Sequence, residues 1–461
     1  MITTFLSPIQ WAEHEFGVAQ LGDVRRSKRL VKIAAHIVAN PGGTLPQAFP
    51  QWPDLKAAYR FFSQGEATYE RILSGHLERT RQACRQSGTY LIIEDTTSLD
   101  YSNHRATQDL GVIGDGQGRG FDLHSALAMR VERWTIEERP QGAIVGLFDQ
   151  QCRSPRPAPK GETRAQRLSR PRKSQTWASA FKSSGRPPDG CQWIYVADRE
   201  SDFYEPLQIC QQHGVDFVVR ACQNRRLADD GGRLMESLNN GVMLGQTTVE
   251  VRSRGGEPAR KAIVELRSMR VNFDGPWRPG GWQPDTCAVG VVEVREVQVP
   301  EGVKEPLRWI LLTSLPCDSL AALKRVVGIY EKRWLIEEYH KGLKSGAGVE
   351  LSQLERGYRL KSLIAVLAVV AVRLLNTKLI ARSQPESFEA AESFGPQIIE
   401  LLEKKFGKSK GGWTNENVII ATARLGGFIG RKSDGQPGWQ TIWRGWHRLM
   451  WMAQGADLIG R

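Results

Sequence analysis

The chain has 461 residues, of which 40% are hydrophobic, and it carries a formal net charge of +13. This length is sufficient for two to four domains with a sizeable core. The positive excess favours a polyanionic partner, most simply nucleic acid, and argues against a small-molecule phosphatase. The sequence contains no amphipathic basic helix of the kind that binds an anionic membrane surface.

The cysteines and the N-terminus bear on the cellular compartment. Seven cysteines are scattered without CxxC or Cys/His spacing, which argues against a structural zinc site and against a disulfide framework. The first eight residues lack the basic region of a secretory signal. The longest apolar run, residues 363–372, is about half the length that spans a bilayer. We therefore expect a protein of the reduced, cytoplasmic compartment.

Residues 1–70 are predicted to form a small helical domain that binds DNA. Asp23 is a plausible N-cap for a helix over residues 24–38, whose apolar positions have helical period. Cations crowd the first half of this helix, where they oppose the helix dipole, so contact with phosphates explains them better than a solvated face does. The candidate DNA-binding residues here are Arg25, Arg26, Lys28 and Arg29.

Two apolar runs end in carboxylates. Residues 89–95 and 193–198 are predicted to be buried strands that end at Asp95 and Asp198. Between them, residues 121–132 and 143–150 are predicted to pair as antiparallel strands. The other predicted segments are a helix over 68–87, a mobile basic loop over 151–173, a helix over 173–181, and a β-rich insertion over about 222–312.

The C-terminal part is predicted to be helical. A long apolar helix over residues 359–383 is expected to end before Pro385. A basic loop is expected over residues 404–410. Tryptophans at helical spacing near the end predict a core face or a subunit interface. They are Trp439, Trp443, Trp446 and Trp451.

One segment, residues 329–344, is predicted to be a helix that presents one chemically unusual stripe. Spacings of three and four residues place five polar side chains within roughly 80° of one another. The cations suit phosphate contacts, and the lone carboxylate suits a divalent metal ion beside the phosphate. The alternative is an exposed helix with ordinary ion pairs. The stripe consists of Tyr330, Arg333, Glu337, Lys341 and Lys344.

Asp95, Asp198 and Glu337 together form the oxygen-rich set that Mg²⁺ or Mn²⁺ prefers. Two such ions can activate water or a 3′-hydroxyl and stabilise the leaving oxygen in phosphoryl transfer. A single Asp at a strand end is weak support, because many such residues are caps or turn formers.

The blocks that carry these acids resemble those of bacterial cut-and-paste DDE transposases, within them the insertion-sequence-four family and its transposon-five type. The similar segments are 94–99, 197–202, the Tyr-Arg-Glu-Lys set of the central helix, 21–26, 217–220, 307–314, 346–348 and 423–428. The resemblance is weakest in residues 151–173, in the loops of the β insertion and in residues 384–412.

The resemblance implies an α/β fold, an RNase H-like mixed sheet flanked by helices. It implies an N-terminal domain for transposon-end DNA (1–70), a catalytic domain (71–365) with the β-rich insertion, and a helical C-terminal dimerisation domain (366–461). Asp95, Asp198 and Glu337 would be the catalytic metal ligands. Tyr330, Arg333 and Lys344 would grip phosphates, and Lys341 is a further DNA-binding candidate. Trp309 and Arg220 would hold a base flipped out of the DNA end.

The implied function is a homodimeric transposase that nicks transposon ends, forms and reopens a DNA hairpin, and joins the 3′-ends to target DNA. One alternative is an RNase H-like metallonuclease that cuts without joining. Another is a transposase-derived DNA-binding regulator that has lost its chemistry.

Overall fold

The computed structural model describes residues 6–459 except 158, 160, 164–165, 167–172, 229–230, 253–257, 276, 279–280, 283–285, 384–389, 391–393, 432–433 and 436. Much of the predicted basic loop over 151–173 therefore lies outside the described residues, and its first three residues complete a strand.

The N-terminal part is helical, as predicted. Asp23 caps the second helix by accepting a hydrogen bond from the Arg25 N–H at 2.8 Å, and Ser7 and Gln10 form a capping box at the first. The helices are α1 (Pro8–Phe16), α2 (Val24–Ala39), α3 (Leu45–Ala48), α4 (Trp52–Phe62) and α5 (Tyr69–Ala83).

The centre of the molecule is a ten-stranded mixed sheet. The strands and the helices between them follow along the chain as β1 (Gly88–Asp100), β2 (Gly111–Ile113), β3 (Gly118–Trp134), β4 (Pro140–Arg153), α6 (Ser179–Ser184), β5 (Cys191–Ala197) and α7 (Tyr204–Gln212). Next come β6 (Asp216–Arg220), α8 (Leu234–Ser237), β7 (Val242–Val251), β8 (Arg260–Phe273), β9 (Trp277–Arg278), β10 (Gly281–Trp282), β11 (Cys287–Glu296) and β12 (Arg308–Thr313).

The strands lie in the order β2-β3-β1-β5-β6-β12-β11-β8-β7, with β4 paired to β3, while β9 and β10 pair with each other. β1 is parallel to β5 and antiparallel to β3, and β3 and β4 form the predicted antiparallel pair. The strands of the predicted insertion extend this same sheet, because β12 pairs with β6 on one side and with β11 on the other.

The two faces of the sheet pack against different layers. Leu91 and Ile93 face the core shared with the N-terminal helices and the helices that follow β12. Tyr90 and Ile92 face the other core, which contains Trp177 and Phe181. Since successive side chains of a strand point to opposite faces, Asp95 lies on the face of Leu91 and Ile93.

The C-terminal helices follow β12. They are α9 (Leu320–Glu331), α10 (Trp334–Lys341), α11 (Gly357–Ser383), α12 (Pro396–Phe406), α13 (Asn415–Leu425) and α14 (Trp439–Ile459), with a π-helix over Gly342–Gly346. Within the described residues, the Gly357–Leu379 segment is apolar enough to cross a membrane, but 83% of its apolar window is buried inside the protein, as in a core helix.

Two local predictions need correction, and the prediction for the C-terminal tryptophans is not contradicted. Residues 173–181 do not form one helix, because Ala178 has a positive φ of 57° between a 3₁₀ turn and α6. Lys404 and Lys405 belong to α12 rather than to a basic loop. In the tryptophan helix, Trp446 packs on neighbouring helices and Trp451 is 58% exposed. The side chains of Trp439 and Trp443 lie outside the described part.

Candidate active site

The two aspartates lie side by side in the sheet. The parallel register of β1 and β5 pairs Glu94 with Ala197, so the next residues along the two strands are Asp95 and Asp198. The prediction that both follow strand ends is right for Asp198 and wrong for Asp95. β1 continues to Asp100, because β3 keeps pairing with it beyond the point where β5 stops. The residues before and after Asp95 in β1 are therefore both paired with β3.

Asp198 begins a 3₁₀ turn just beyond β5. Its carboxylate accepts a hydrogen bond from the Glu200 N–H at 2.8 Å, which caps the turn over Arg199–Ser201. Asp202, at the end of this turn, is buried and accepts from the N–H groups of Cys222 and Gln223 at 2.6 and 2.7 Å. The turn that carries Asp198 is thereby fastened to the segment that follows β6.

The negative charges of Asp198 and Glu337 both act on the Asp95 carboxyl. The pKa of the Asp95 carboxyl is raised to about 7, first by burial and then by the negative charge of Asp198, with a further contribution from Glu337. The Thr96 N–H and the Arg333 guanidinium lower it, but they do not outweigh burial and repulsion. Negative charge at this place is therefore only partly compensated by the protein.

Glu337 sits on a helix that differs from the predicted one. The prediction of one continuous helix over residues 329–344 is wrong. α9 ends at Glu331, Lys332 and Arg333 form a turn, and α10 starts at Trp334. Hydrogen bonds of the i to i−3 type tighten the turn, such as Arg333 N–H to the Tyr330 carbonyl at 2.9 Å. The backbone then widens into the π-helix that contains Lys344.

Arg333 lies between two of the acids. Its guanidinium is 3.8 Å from an Asp95 oxygen and forms an ion pair with Glu337, whose side chain is 54% exposed. Among the residues that the structure describes, no three His, Cys, Asp or Glu side chains converge as a metal-binding group. The acids are thus neighbours without being arranged as a complete ligand set, and Glu337 is paired with Arg333 instead.

The residues nevertheless fit a hard divalent cation. All the candidate ligands offer carboxylate oxygens, which Mg²⁺ and Mn²⁺ prefer. The raised pKa of Asp95 records repulsion that a bound cation would relieve. Glu337, being half exposed, is the member of the set with room to change its rotamer.

An aromatic pair borders the acids. The rings of Trp309 and Tyr330 meet edge to face, with centroids 5.0 Å apart and planes at 70°. Trp309 is on β12 and half buried, whereas Tyr330 is 4% exposed. The pKa of Tyr330 is raised mainly by burial, while Arg333 and Arg220 act against that rise and Asp198 adds to it. Tyr330 is therefore within electrostatic reach of the acids on one side and of Trp309 on the other.

Arg220 ends β6 beside this pair. It donates a hydrogen bond to the Arg308 carbonyl at 3.2 Å, and its charge acts on the Tyr330 phenol, whose pKa it lowers against the effect of burial. The register of β6 and β12, which pairs Arg220 with Leu311, brings the two segments together. The structure thus assembles Arg220, Trp309 and Tyr330 next to Asp198, and a role in holding a base stays a prediction.

The two lysines of the predicted stripe have different surroundings. Lys344 donates from Nζ to the Ser98 carbonyl at 2.6 Å and lies 3.5 Å from Glu350. Ser98 is three residues beyond Asp95 on β1, so Lys344 flanks the acids. Lys341 is exposed at the end of α10. The stripe therefore contains a buried phenol, a partly buried arginine and lysine, and the exposed Glu337 and Lys341.

The N-terminal cations lie on the outer face of α2. Lys28 is exposed, and Arg25 has 89% of its side chain exposed despite an ion pair with Asp23 at 3.4 Å. Arg26 donates to the Leu21 carbonyl at 2.9 Å, and Arg29 lies 3.5 Å from Asp54. Arg25 and Lys28 are thus the more available to a polyanion, and DNA contact by all four stays a prediction.

Sequence reasoning missed a set of buried polar residues behind the acids. Glu94 is 1% exposed and accepts from the Ala178 N–H at 2.8 Å, and His124 contacts it at 3.3 Å. Gln150 is 5% exposed within β4. The available signal was the presence of charged or amide side chains inside otherwise apolar strands, which require buried partners.

Three protein-family models match consecutive parts of the chain. They are Transposase DNA-binding over residues 8–67, Transposase DDE domain over residues 193–372, and Transposase Tn5 dimerisation domain over residues 369–460. The chain belongs to the DDE transposases. The family resemblance and the predicted fold class are thereby confirmed. The match to the DDE domain includes Asp198 and Glu337, whereas Asp95 precedes it and is placed by the sheet register.

Among solved structures, this transposase is similar to a piggyBac transposase in a cryo-EM structure of its synaptic complex with hairpin DNA. The TM-score is 0.34 and the sequence identity is 10%. The match covers 84% of this chain and 57% of that one, so the chain spans little more than half the length of that protein.

Proposed function

We propose that this protein is a DNA transposase that binds transposon ends, cleaves them by metal-dependent phosphoryl transfer through a hairpin, and joins the 3′-ends to target DNA. The observation that carries the proposal is the cluster of Asp95, Asp198 and Glu337, with coupled charges, beside cations and a Trp–Tyr pair. Acids that can hold metal ions and cations that bind phosphate suit phosphoryl transfer on DNA, and an aromatic pair can stack an unpaired base.

Asp95, Asp198 and Glu337 are the residues that would hold divalent ions. Bound Mg²⁺ or Mn²⁺ would supply activation of the attacking water or 3′-hydroxyl and stabilisation of the leaving oxygen. The carboxylates of the chain would orient these groups, and Asp95 lies partly buried, with 16% of its side chain exposed.

The cations of the site hold the phosphate. Arg333, with its planar guanidinium, can leave Glu337 and take a phosphate in a bidentate arrangement. Lys344, fixed by the Ser98 carbonyl, offers a point charge on the β1 side of the acids. Both interactions strengthen as negative charge develops on the reacting phosphate.

Trp309 supports the hairpin step. A tight DNA hairpin requires bases near the cleaved end to leave the stack, and an aromatic face compensates part of the lost stacking. Trp309 is half buried and braced at one edge by Tyr330, so a part of its surface remains available. Arg220, at the Tyr330 hydroxyl, can contact the adjacent phosphate.

The proposal includes a homodimer in a synaptic complex and a cytoplasmic, nucleoid-associated location. The Transposase Tn5 dimerisation domain match over residues 369–460 supports the dimer. The net charge of +13 and seven unpaired cysteines support a reduced compartment that contains DNA.

The test uses duplexes that carry the two ends of the element encoding this chain, incubated with the full-length protein and Mg²⁺. We expect nicked, hairpin and joined products in that order. If the protein nicks the ends but forms neither hairpins nor joined products, it is a metallonuclease and the proposal is refuted. Binding without any cleavage in either Mg²⁺ or Mn²⁺ would replace it by a DNA-binding regulator.

A further inference from the structure

A row of three cross-strand neighbours runs across the sheet away from Asp95. The register of β1 and β3 pairs Asp95 with Ser125, and that of β3 and β4 pairs Ser125 with Gln150. Directly paired residues point to the same face of a sheet. Ser125 and Gln150 are therefore on the face that carries Asp95 and that α10 covers.

Gln150 is the hub of a buried hydrogen-bond network on this face. Its Nε2 donates to the Ser125 Oγ at 2.9 Å and to the Tyr339 Oη at 2.8 Å. Its Oε1 accepts from the Tyr69 Oη at 2.8 Å. Gln150 is 5% exposed, and Ser125 and Tyr339 are fully buried, so these bonds have no water to replace them.

The network reaches the helix that bears Glu337. Tyr339 and His340 are the second and third residues after Glu337 on α10. Tyr339 bonds to Gln150 and donates to the Ala368 carbonyl of α11 at 3.3 Å, and His340 Nε2 lies 3.3 Å from the Ser125 Oγ. Two buried polar contacts of α10 therefore end on the pair formed by Ser125 and Gln150, beside the ion pair of Glu338 with Lys378 of α11.

We propose that Gln150 is a positioning residue that sets the distance between Asp95 and Glu337. It does so by connecting the cross-strand row that contains Asp95 to α10, which carries Glu337. Gln150 touches none of the acids, and no motif includes it. The inference rests on the proposed metal-dependent reaction. Hydrogen bonds of defined length fix the spacing of the metal ligands, whereas apolar packing alone would leave α10 freer to shift.

The test compares Gln150→Met with Gln151→Met in the full-length protein. Methionine keeps the length of the side chain and removes the amide. Gln151 is a matched control because it is the next residue on β4, points to the other face, and also donates two hydrogen bonds, to Asp149 at 3.2 Å and to Ser179 at 3.1 Å. Mn²⁺ binding followed by electron paramagnetic resonance reports on the site without requiring turnover. Tyr339→Phe, which removes one oxygen, is the second variant should Gln150→Met fold poorly.

We expect Gln150→Met and Tyr339→Phe to weaken Mn²⁺ binding about ten-fold, the effect typical of residues that orient metal ligands, while Gln151→Met binds as the wild type does. The Mg²⁺ concentration for half-maximal DNA nicking should rise in parallel, with nicking recovered at high Mg²⁺. Unchanged Mn²⁺ binding in both test variants, or equal losses in Gln151→Met, would overturn the positioning role. Wild-type protein that binds Mn²⁺ no better than Asp95→Asn would instead reject the proposed function itself.

Discussion

Replacing Asp95 by asparagine should stabilise the metal-free protein while abolishing cleavage. In the folded protein the pKa of Asp95 is raised from 3.8 to about 7, because burial and the charges of Asp198 and Glu337 disfavour the carboxylate. Asparagine has nearly the same shape, and its oxygen can still accept the Thr96 N–H at 2.7 Å. The substitution removes a buried charge, and with it the ability to bind a divalent ion as a carboxylate does.

The size of the stabilisation by Asp95→Asn, and the pH range in which it appears, follow from the difference in the Asp95 pKa between the folded and unfolded chains. A rise in pKa of about 3 corresponds to about 4 kcal/mol, and this net figure already includes the favourable charge of Arg333. Below pH 4 the carboxyl is protonated in both folded and unfolded chains, so ionisation costs the fold nothing. Between pH 4 and 7 the folded state binds the extra proton, and its stability falls as the pH rises. Above pH 7 the whole penalty applies.

Urea unfolding of metal-free protein at pH 5 and pH 8 measures this difference. We expect Asp95→Asn to raise the free energy of unfolding more at pH 8 than at pH 5. Asp115→Asn is the matched control, because the exposed Asp115 carboxylate also accepts a backbone N–H, from Gln117 at 3.1 Å. Mg²⁺ should stabilise the wild type at pH 8 and have little effect on Asp95→Asn. A variant less stable than the wild type at both pH values would refute the electrostatic reasoning.

The remaining predictions concern DNA. Glu337→Ala should lose cleavage in Mg²⁺ by more than about 100-fold and keep wild-type affinity for end DNA in gel shifts; retained cleavage would remove Glu337 from the ligand set. Trp309→Ala should slow hairpin formation in single-turnover assays more than first-strand nicking, because only the hairpin needs an unstacked base; equal slowing of both steps would contradict the stacking role. Lys28→Ala should weaken binding to end DNA and to random duplexes alike, and should lower the slope of log affinity against log salt concentration by about 1. A loss of affinity restricted to end DNA would show base readout instead.

Much of the secondary structure was predictable from the sequence because its signals are local. Asp23 and the helical period after it predict α2 and its cap, and the structure shows both. The apolar runs before Asp95 and Asp198 predict the two parallel strands that carry these acids. The long apolar run predicts α11, which the structure shows over Gly357–Ser383, and the expected stop before Pro385 lies outside the described residues.

Where predictions failed, a contact between distant segments was responsible in one case and a local turn in the other. The extension of β1 beyond Asp95 depends on β3, which pairs with it through Asp100. The turn at Lys332 and Arg333 separates α9 from α10 although the helical period continues through it. The extension of β1 depends on a pairing partner in another segment of the chain, whereas the turn is closed by local hydrogen bonds such as that from the Arg333 N–H to the Tyr330 carbonyl.

By itself, the sequence determined which chemical groups this transposase brings to its site: three acids, their flanking cations and Trp309. Only the tertiary structure decided how these groups meet. It paired Arg333 with Glu337, raised the pKa of Asp95 by burial beside other acids, and connected Gln150 to the helix of Glu337. The physical reason is that composition and spacing act over a few residues, whereas charge coupling and buried hydrogen bonds depend on strand register and on layers joined across hundreds of residues.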